Sequence, residues 1–264
     1  MVTGSKLRKS LGQHHLTRGE VCRPLIEFLR PAGSLVVEIG PGGGVLTREL
    51  LAAGARVLAL ELDLAWAFHL RGPALAGALR LVAADALAFP WERLPPGTLV
   101  TGNLPYNVGS AIVQAVVRHP RHVPRAGFLL QQEVVERLTA APGERPRGAL
   151  SALVQARAGV RTLGRVRPGA FRPPPKVESA FVGLEPHPPP LSEKEWEAFA
   201  RLVHLGFGQR RKTLRNALAS AVGRQRAEQW LADAGVDPSS RAERLDLEAW
   251  LALHRAAGAD GIGW

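Results

Sequence analysis

In 264 residues the chain has one cysteine, one tyrosine and one methionine. A lone Cys22 rules out an internal disulfide framework and a thiolate metal cluster, and fits a reducing, cytoplasmic setting. Its neighbours Val21, Leu25 and Ile26 make it an ordinary core residue. No apolar run approaches the roughly 18 residues that argue for a membrane span. The stretch from Met1 to Leu16 is basic and polar, with no apolar leader segment. Neither membrane insertion nor secretion is expected. Also lacking are a Gly-Lys-Ser/Thr phosphate loop, a G-x-G-x-x-G dinucleotide turn, an internal repeat and a low-complexity tract.

Negative charge is scarce where it would be expected. The net charge is +11, yet Ala198 to Ala227 holds seven basic residues and no acid, and Arg118 to Glu178 holds 12 against 4. An arginine-rich composition explains Arg in place of Lys but not the missing acids. The clustering predicts a polyanionic partner, with affinity carried by phosphate contacts and falling with salt. Hydrophobic content of 46% and charged content of 22% are globular values.

Apolar runs alternate with helical stretches at Leu35–Ile39, Val57–Leu62, Leu79–Ala83, Leu99–Gly102 and Ala126–Gln131. This predicts βα repeats around a mostly parallel, covered sheet. Val160–Val166 and Ala180–Leu184 read as an antiparallel pair at its end. A stiff linker, Pro186-His187-Pro188-Pro189-Pro190, precedes a capping box of Ser192 and Glu195 and the helical spacing Trp196, Phe199, Leu202, Val203. The expected division is residues 1–190, of which 1–20 form a flexible basic segment, and a small all-α domain over 191–264.

The residues Asn103-Leu104-Pro105-Tyr106 close the fourth strand run. Asn103 offers an uncharged side-chain acceptor, and Leu104, held extended before Pro105, offers a backbone carbonyl. Tyr106 supplies a flat ring. Two acceptors beside a stacking ring suit the exocyclic amine of a base. The first βα turn, Glu38-Ile39-Gly40-Pro41-Gly42-Gly43-Gly44, brings backbone close to a ligand; its E-x-G-x-G-x-G form resembles that of S-adenosylmethionine (AdoMet) methyltransferases. Glu61 ends the second strand, where it can accept from two ribose hydroxyls, and Asp85 ends the third, where it can accept from an adenine amine.

Taken with Gly12-Gln13, Phe171-Arg172-Pro173-Pro174-Pro175-Lys176-Val177 and the run Phe207 to Asn216, these pieces resemble the ribosomal RNA adenine dimethyltransferases. The helical-domain run favours the small-subunit (16S) branch over the large-subunit resistance enzymes. The resemblance implies an α/β fold: a Rossmann-like class I methyltransferase domain with a mostly parallel seven-stranded sheet, and a small all-α C-terminal domain. It implies AdoMet as cofactor, held by Gln13, His14, Leu16, Glu38, Gly40, Gly42, Glu61, Leu62, Asp85, Ala86 and Asn103. Target handling falls to Asn103, Leu104, Pro105, Tyr106 and Phe171, with Tyr106 and Phe171 sandwiching an extruded adenine. RNA phosphates are expected at Lys9, Arg172, Lys176, Arg210, Arg211, Lys212 and Arg215. The expected partner is 16S rRNA in an immature small subunit, bound by a monomer with no metal. One departure stands out: His14-His15 occupies the place of the family's Asn-Phe. That departure is the feature that keeps a non-catalytic RNA-binding assembly factor in view as the rival from another class.

Overall fold

Val36, Val37, Val57, Ala59, Leu99, Val100 and Phe128 are all buried, because strands covered on both faces have no solvent side. Each Val, Leu or Phe side chain among them contributes roughly 1.5–3 kcal/mol on leaving water. The computed structural model describes residues 14–62, 77–209 and 211–259. Its strands are β1 (His15–Leu16), β2 (Leu35–Ile39), β3 (Arg56–Glu61), β4 (Leu79–Ala83), β5 (Leu99–Asn103), β6 (Ala126–Gln131), β7 (Ala158–Val166), β8 (Phe171–Arg172) and β9 (Ser179–Pro186). Seven of them form one sheet in the order β4-β3-β2-β5-β6-β9-β7. The first five positions are parallel, while β9 runs antiparallel to both β6 and β7.

From β2 the chain winds outward through β3 and β4, then returns to place β5 on the opposite side of β2. That reversal puts a crevice at the carboxyl ends of β2 and β5, where open α/β sheets bind ligands. Gly102, in β5, permits the close approach: a Cβ there would lie 2.5 Å from the Ile39 backbone oxygen.

The short pair β1–β8 sets His15 opposite Arg172 and Leu16 opposite Phe171. Thr17 reinforces it, donating from both its backbone N–H (2.9 Å) and its hydroxyl (3.0 Å) to the Ala170 carbonyl. Residues 14–17 are therefore tied down, against the expectation of a flexible segment through residue 20. Residues 1–13 of that segment lie outside the described residues.

Two compact units emerge, Met1–Val135 with Ala158–Pro188, and Glu136–Arg157 with Pro189–Trp264. The second thus takes in 136–157, which the sequence division assigned to the first. Arg157 shows why. Its side chain is buried, ion-paired to Glu193 Oε1 at 2.8 Å and set 3.8 Å over the Trp196 ring. Arg147 is likewise buried and donates to the carbonyls of Ala140 and Leu245 and to Gln155 Oε1. Helices Ala149–Gln155, Glu193–Phe207, Leu214–Val222, Arg224–Asp233 and Leu247–Ala259 enclose Phe199, Leu202, Leu218, Trp230 and Trp250. The Ser192/Glu195 box caps its helix from both sides, at 3.3 and 2.9 Å. Among the described residues no helix is long and apolar enough to cross a membrane.

Candidate active site

At the crevice between β2 and β5 a pocket is lined by His14, His15, Gly40, Gly42, Glu61, Asn103, Leu104, Pro105 and Tyr106. A smaller cavity shares His15, Gly40 and Asn103 with it and adds Leu16, Glu38, Pro41, Gly43, Val45 and Leu46. The glycine turn makes room for both. Gly40 and Gly42 adopt φ of +65° and +49°, and a Cβ on Gly42 would fall 2.4 Å from His15 Nδ1.

Asn103 ends β5 with its side-chain Nδ2 donating to the His14 carbonyl at 2.7 Å. That bond commits the amide's donor end, so Oδ1 is left as the acceptor. The Leu104 N–H donates to the Leu129 carbonyl (3.1 Å), and the Leu104 side chain is buried. The Pro105 carbonyl accepts from Val108 and Gly109, which turns the chain into helix Gly109–Val117. Tyr106 stacks on His14, ring centroids 5.4 Å apart and 29° between planes, and its hydroxyl shares a hydrogen bond with Ser179 Oγ at 3.2 Å. Burial pushes the Tyr106 phenol up, with the Ser179 contact partly offsetting it. Burial and the adjacent His14 hold His15 below the usual imidazole range.

Two acids face this crevice from below. Glu61 is 6% exposed at the end of β3, and Glu38 is 1% exposed within β2. Burial pushes the Glu38 carboxyl up to about 7; the nearby Thr47 hydroxyl opposes the rise and the charge of Glu61 adds to it. Among the described residues no donor reaches Glu38 Oε2 with ordinary hydrogen-bond geometry. A buried, unpaired carboxylate oxygen beside a glycine cradle suits a cationic ligand with hydroxyls to donate. By that test the pocket fits a nucleoside sulfonium such as AdoMet.

Not every expected residue is brought here. Phe171 is 5% exposed and packs in the core with Leu16, Cys22 and Leu25, through its β1–β8 pairing. It does not line the pocket that holds Asn103 and Tyr106. Asp85 is exposed and its Oδ1 accepts from the Leu87 N–H at 2.9 Å, as a local turn. Ala86 is buried, with its carbonyl accepting from Trp91 Nε1. Leu62 is 64% exposed. None of these three lines the pocket. Arg172, Lys176, Arg211 and Lys212 are exposed. Arg215 is only half-exposed, 3.7 Å from Glu228. Lys9, Gln13 and Arg210 lie outside the described residues. Sequence reasoning missed His15 as a wall of both cavities and Ser179 as the partner of Tyr106. The first is signalled by adjacency to His14, the second by nothing local, since the two lie 73 positions apart.

The family model for ribosomal RNA adenine dimethylase matches residues 4–257. The chain belongs to that family. A ribosomal RNA small subunit methyltransferase A from Anaeromyxobacter sp. (strain K) is 44% identical over 268 residues, covering 96% of this chain and 94% of the relative. One from Acidithiobacillus ferrooxidans is 39% identical over 261 residues, covering 97% and 96%. Among solved structures, the 23S rRNA methyltransferase ErmE superposes with a TM-score of 0.69 at 28% identity, covering 91% of this chain and 97% of that one. A dimethyladenosine transferase from Plasmodium falciparum gives 0.77 at 22% identity, covering 94% and 99%, a likeness of fold. As a family member the protein is an AdoMet-dependent methyltransferase that dimethylates adenine in ribosomal RNA.

Proposed function

We propose that this enzyme converts two adjacent adenosines in the 3′-terminal hairpin loop of 16S rRNA to N6,N6-dimethyladenosine, acting in the cytoplasm as a monomer on immature small subunits. The observation that carries the chemistry is the Asn103 amide, oriented by the His14 carbonyl so that Oδ1 is left to accept an amine N–H. The names of the 39–44% identical relatives support the small-subunit substrate.

Bound AdoMet supplies an electrophilic methyl group on a positively charged sulfur. His14, Leu16, Gly40, Gly42, Glu38, Glu61 and Asn103 surround the space in which it would be held. The adenine N6 lone pair is delocalised into its ring, which makes that nitrogen a poor nucleophile. Asn103 Oδ1 and the Leu104 carbonyl accept its two N–H bonds and turn the lone pair toward the methyl carbon. Both oxygens are neutral, so they stabilise charge growing on nitrogen without trapping the product as a carboxylate would. Tyr106 gives the extruded base a face to stack on, its ring held at the hydroxyl by Ser179. The methylated nitrogen is cationic until it releases a proton to water; one N–H then remains, and either carbonyl can hold it for the second transfer.

Methyl transfer from labelled AdoMet to unmethylated small subunits, with naked 16S RNA and large subunits as parallel substrates, tests this. Preference for small subunits and two methyls per modified adenosine are expected. The ErmE likeness supports a second reading, on large-subunit RNA, which preference for that RNA would favour. Binding without transfer would leave an assembly factor.

The exposed Arg211 and Lys212 are assigned to phosphates. Exchanging both for Gln should reduce the slope of log affinity against log salt by about 2, roughly one per contact. Arg215→Gln should change it less, because Arg215 already has Glu228 as a partner. A slope unchanged in the double variant would return both to ordinary surface charge.

A further inference from the structure

We propose that the His14 side chain is a displaceable surrogate for the target base: it covers the Tyr106 ring while no base is present, and turns away when adenine enters. This rests on Tyr106 being the platform for the base. Three observations carry it. First, the two rings are stacked, 5.4 Å and 29°, within the range of aromatic pairs, and line one pocket with Asn103 and Leu104. The imidazole thus lies on the ring beside the acceptors that would receive the amine. Second, the ring is held lightly. Among the described residues its one polar contact is an exposed one, Nδ1–H donating to the Pro173 carbonyl at 2.8 Å, which water can replace. Third, the backbone beneath it is fixed. The His14 carbonyl accepts from Asn103 Nδ2, and His15 pairs with Arg172 in β1–β8. The side chain can therefore rotate about its own torsions while the Asn103 anchor stays in place.

The exchange favours adenine. Imidazole offers one N–H, already given to Pro173. Adenine replaces one stack with a larger one and brings two amine hydrogens to Asn103 Oδ1 and the Leu104 carbonyl. Until it arrives, a fraction of molecules has the platform covered, so the apparent affinity for any base is lowered by that fraction. A residue that merely fills space behaves in the opposite way, since its removal loosens the pocket.

Tyr106 is the sole tyrosine, so ring-labelled tyrosine gives NMR signals from this residue alone. The probe is a short RNA hairpin with two adjacent adenosines in its loop, titrated without AdoMet. In the free protein a nuclear Overhauser contact between the His14 and Tyr106 rings is expected, and saturation with hairpin should remove it while the Tyr106 signals shift. His14→Ala, which keeps the backbone carbonyl, should bind the hairpin about two- to tenfold more tightly, the range expected for losing one aromatic pair. Persistence of the contact in a saturated complex whose Tyr106 signals do move would overturn the surrogate and leave the platform standing. Unmoved Tyr106 signals would overturn both. Weaker binding by His14→Ala, with an unaltered melting curve, would make His14 a filler and sink the proposal.

Discussion

Asn103→Ala should lower methyl transfer by about 10²–10³-fold, on the scale seen when one preorganised polar group is removed from a transition state. Two losses combine in this variant. The acceptor Oδ1 disappears, so the amine keeps one partner, the Leu104 carbonyl, and its lone pair is no longer directed. The bond from Nδ2 to the His14 carbonyl, 2.7 Å, disappears as well. The fold should survive, because Asn103 is only half-buried at a strand end and the β5 ladder to β2 and β6 is made by backbone. Initial rates with small subunits, set beside a thermal melt, separate the two effects. Asn103→Asp sharpens the test. It keeps an oxygen acceptor and nearly the same volume, but it lacks the donor for His14 and adds a charge beside two buried acids. Activity between that of Ala and the native enzyme is expected, and turnover within threefold of native in the Ala variant would remove Asn103 from the chemistry.

The parallel strands were legible because short apolar runs bounded by Gly and Pro have little else to become: β2, β4 and β6 coincide with runs at 35–39, 79–83 and 126–131. The glycine turn and the residues at the ends of β3 and β5 were legible for a related reason, since strand ends in such sheets are where ligands gather. Tertiary pairing was not. Phe171 reads as an aromatic beside basic residues and prolines, and only its register with Leu16 across β1–β8 shows that it belongs to the core. Arg147 and Arg157 read as surface charge in a basic stretch. Burial of both, with Gln155 and Glu193 as partners, is what draws 136–157 into the second unit. Ser179 and His14 meet Tyr106 from 73 and 92 residues away, distances over which no spacing rule operates. Local pattern thus revealed which side chains end strands. It could not reveal which of them a neighbouring segment then covers.

Glu38→Gln should stabilise the protein at alkaline pH and leave it unchanged in acid. In the unfolded chain the carboxyl titrates near 4.5, whereas burial pushes it up to about 7 in the fold. Below the unfolded value both states are protonated and there is no penalty. As pH rises from there the unfolded chain gives up its proton and the folded chain retains it, so stability falls until pH passes about 7. Beyond that the full cost applies, roughly 3 kcal/mol for a difference of this size. Gln preserves shape without a charge, so the variant should gain up to that amount at pH 8 and match the native protein near pH 4 in paired melts. Such a cost, borne in β2 next to the glycine turn, makes sense if a cation is to be received there. The same substitution should therefore weaken AdoMet binding at pH 8, measured by calorimetry, in the variant whose fold is the more stable. A variant that is more stable yet binds AdoMet as tightly as before would show that the carboxylate serves neither the fold nor the donor.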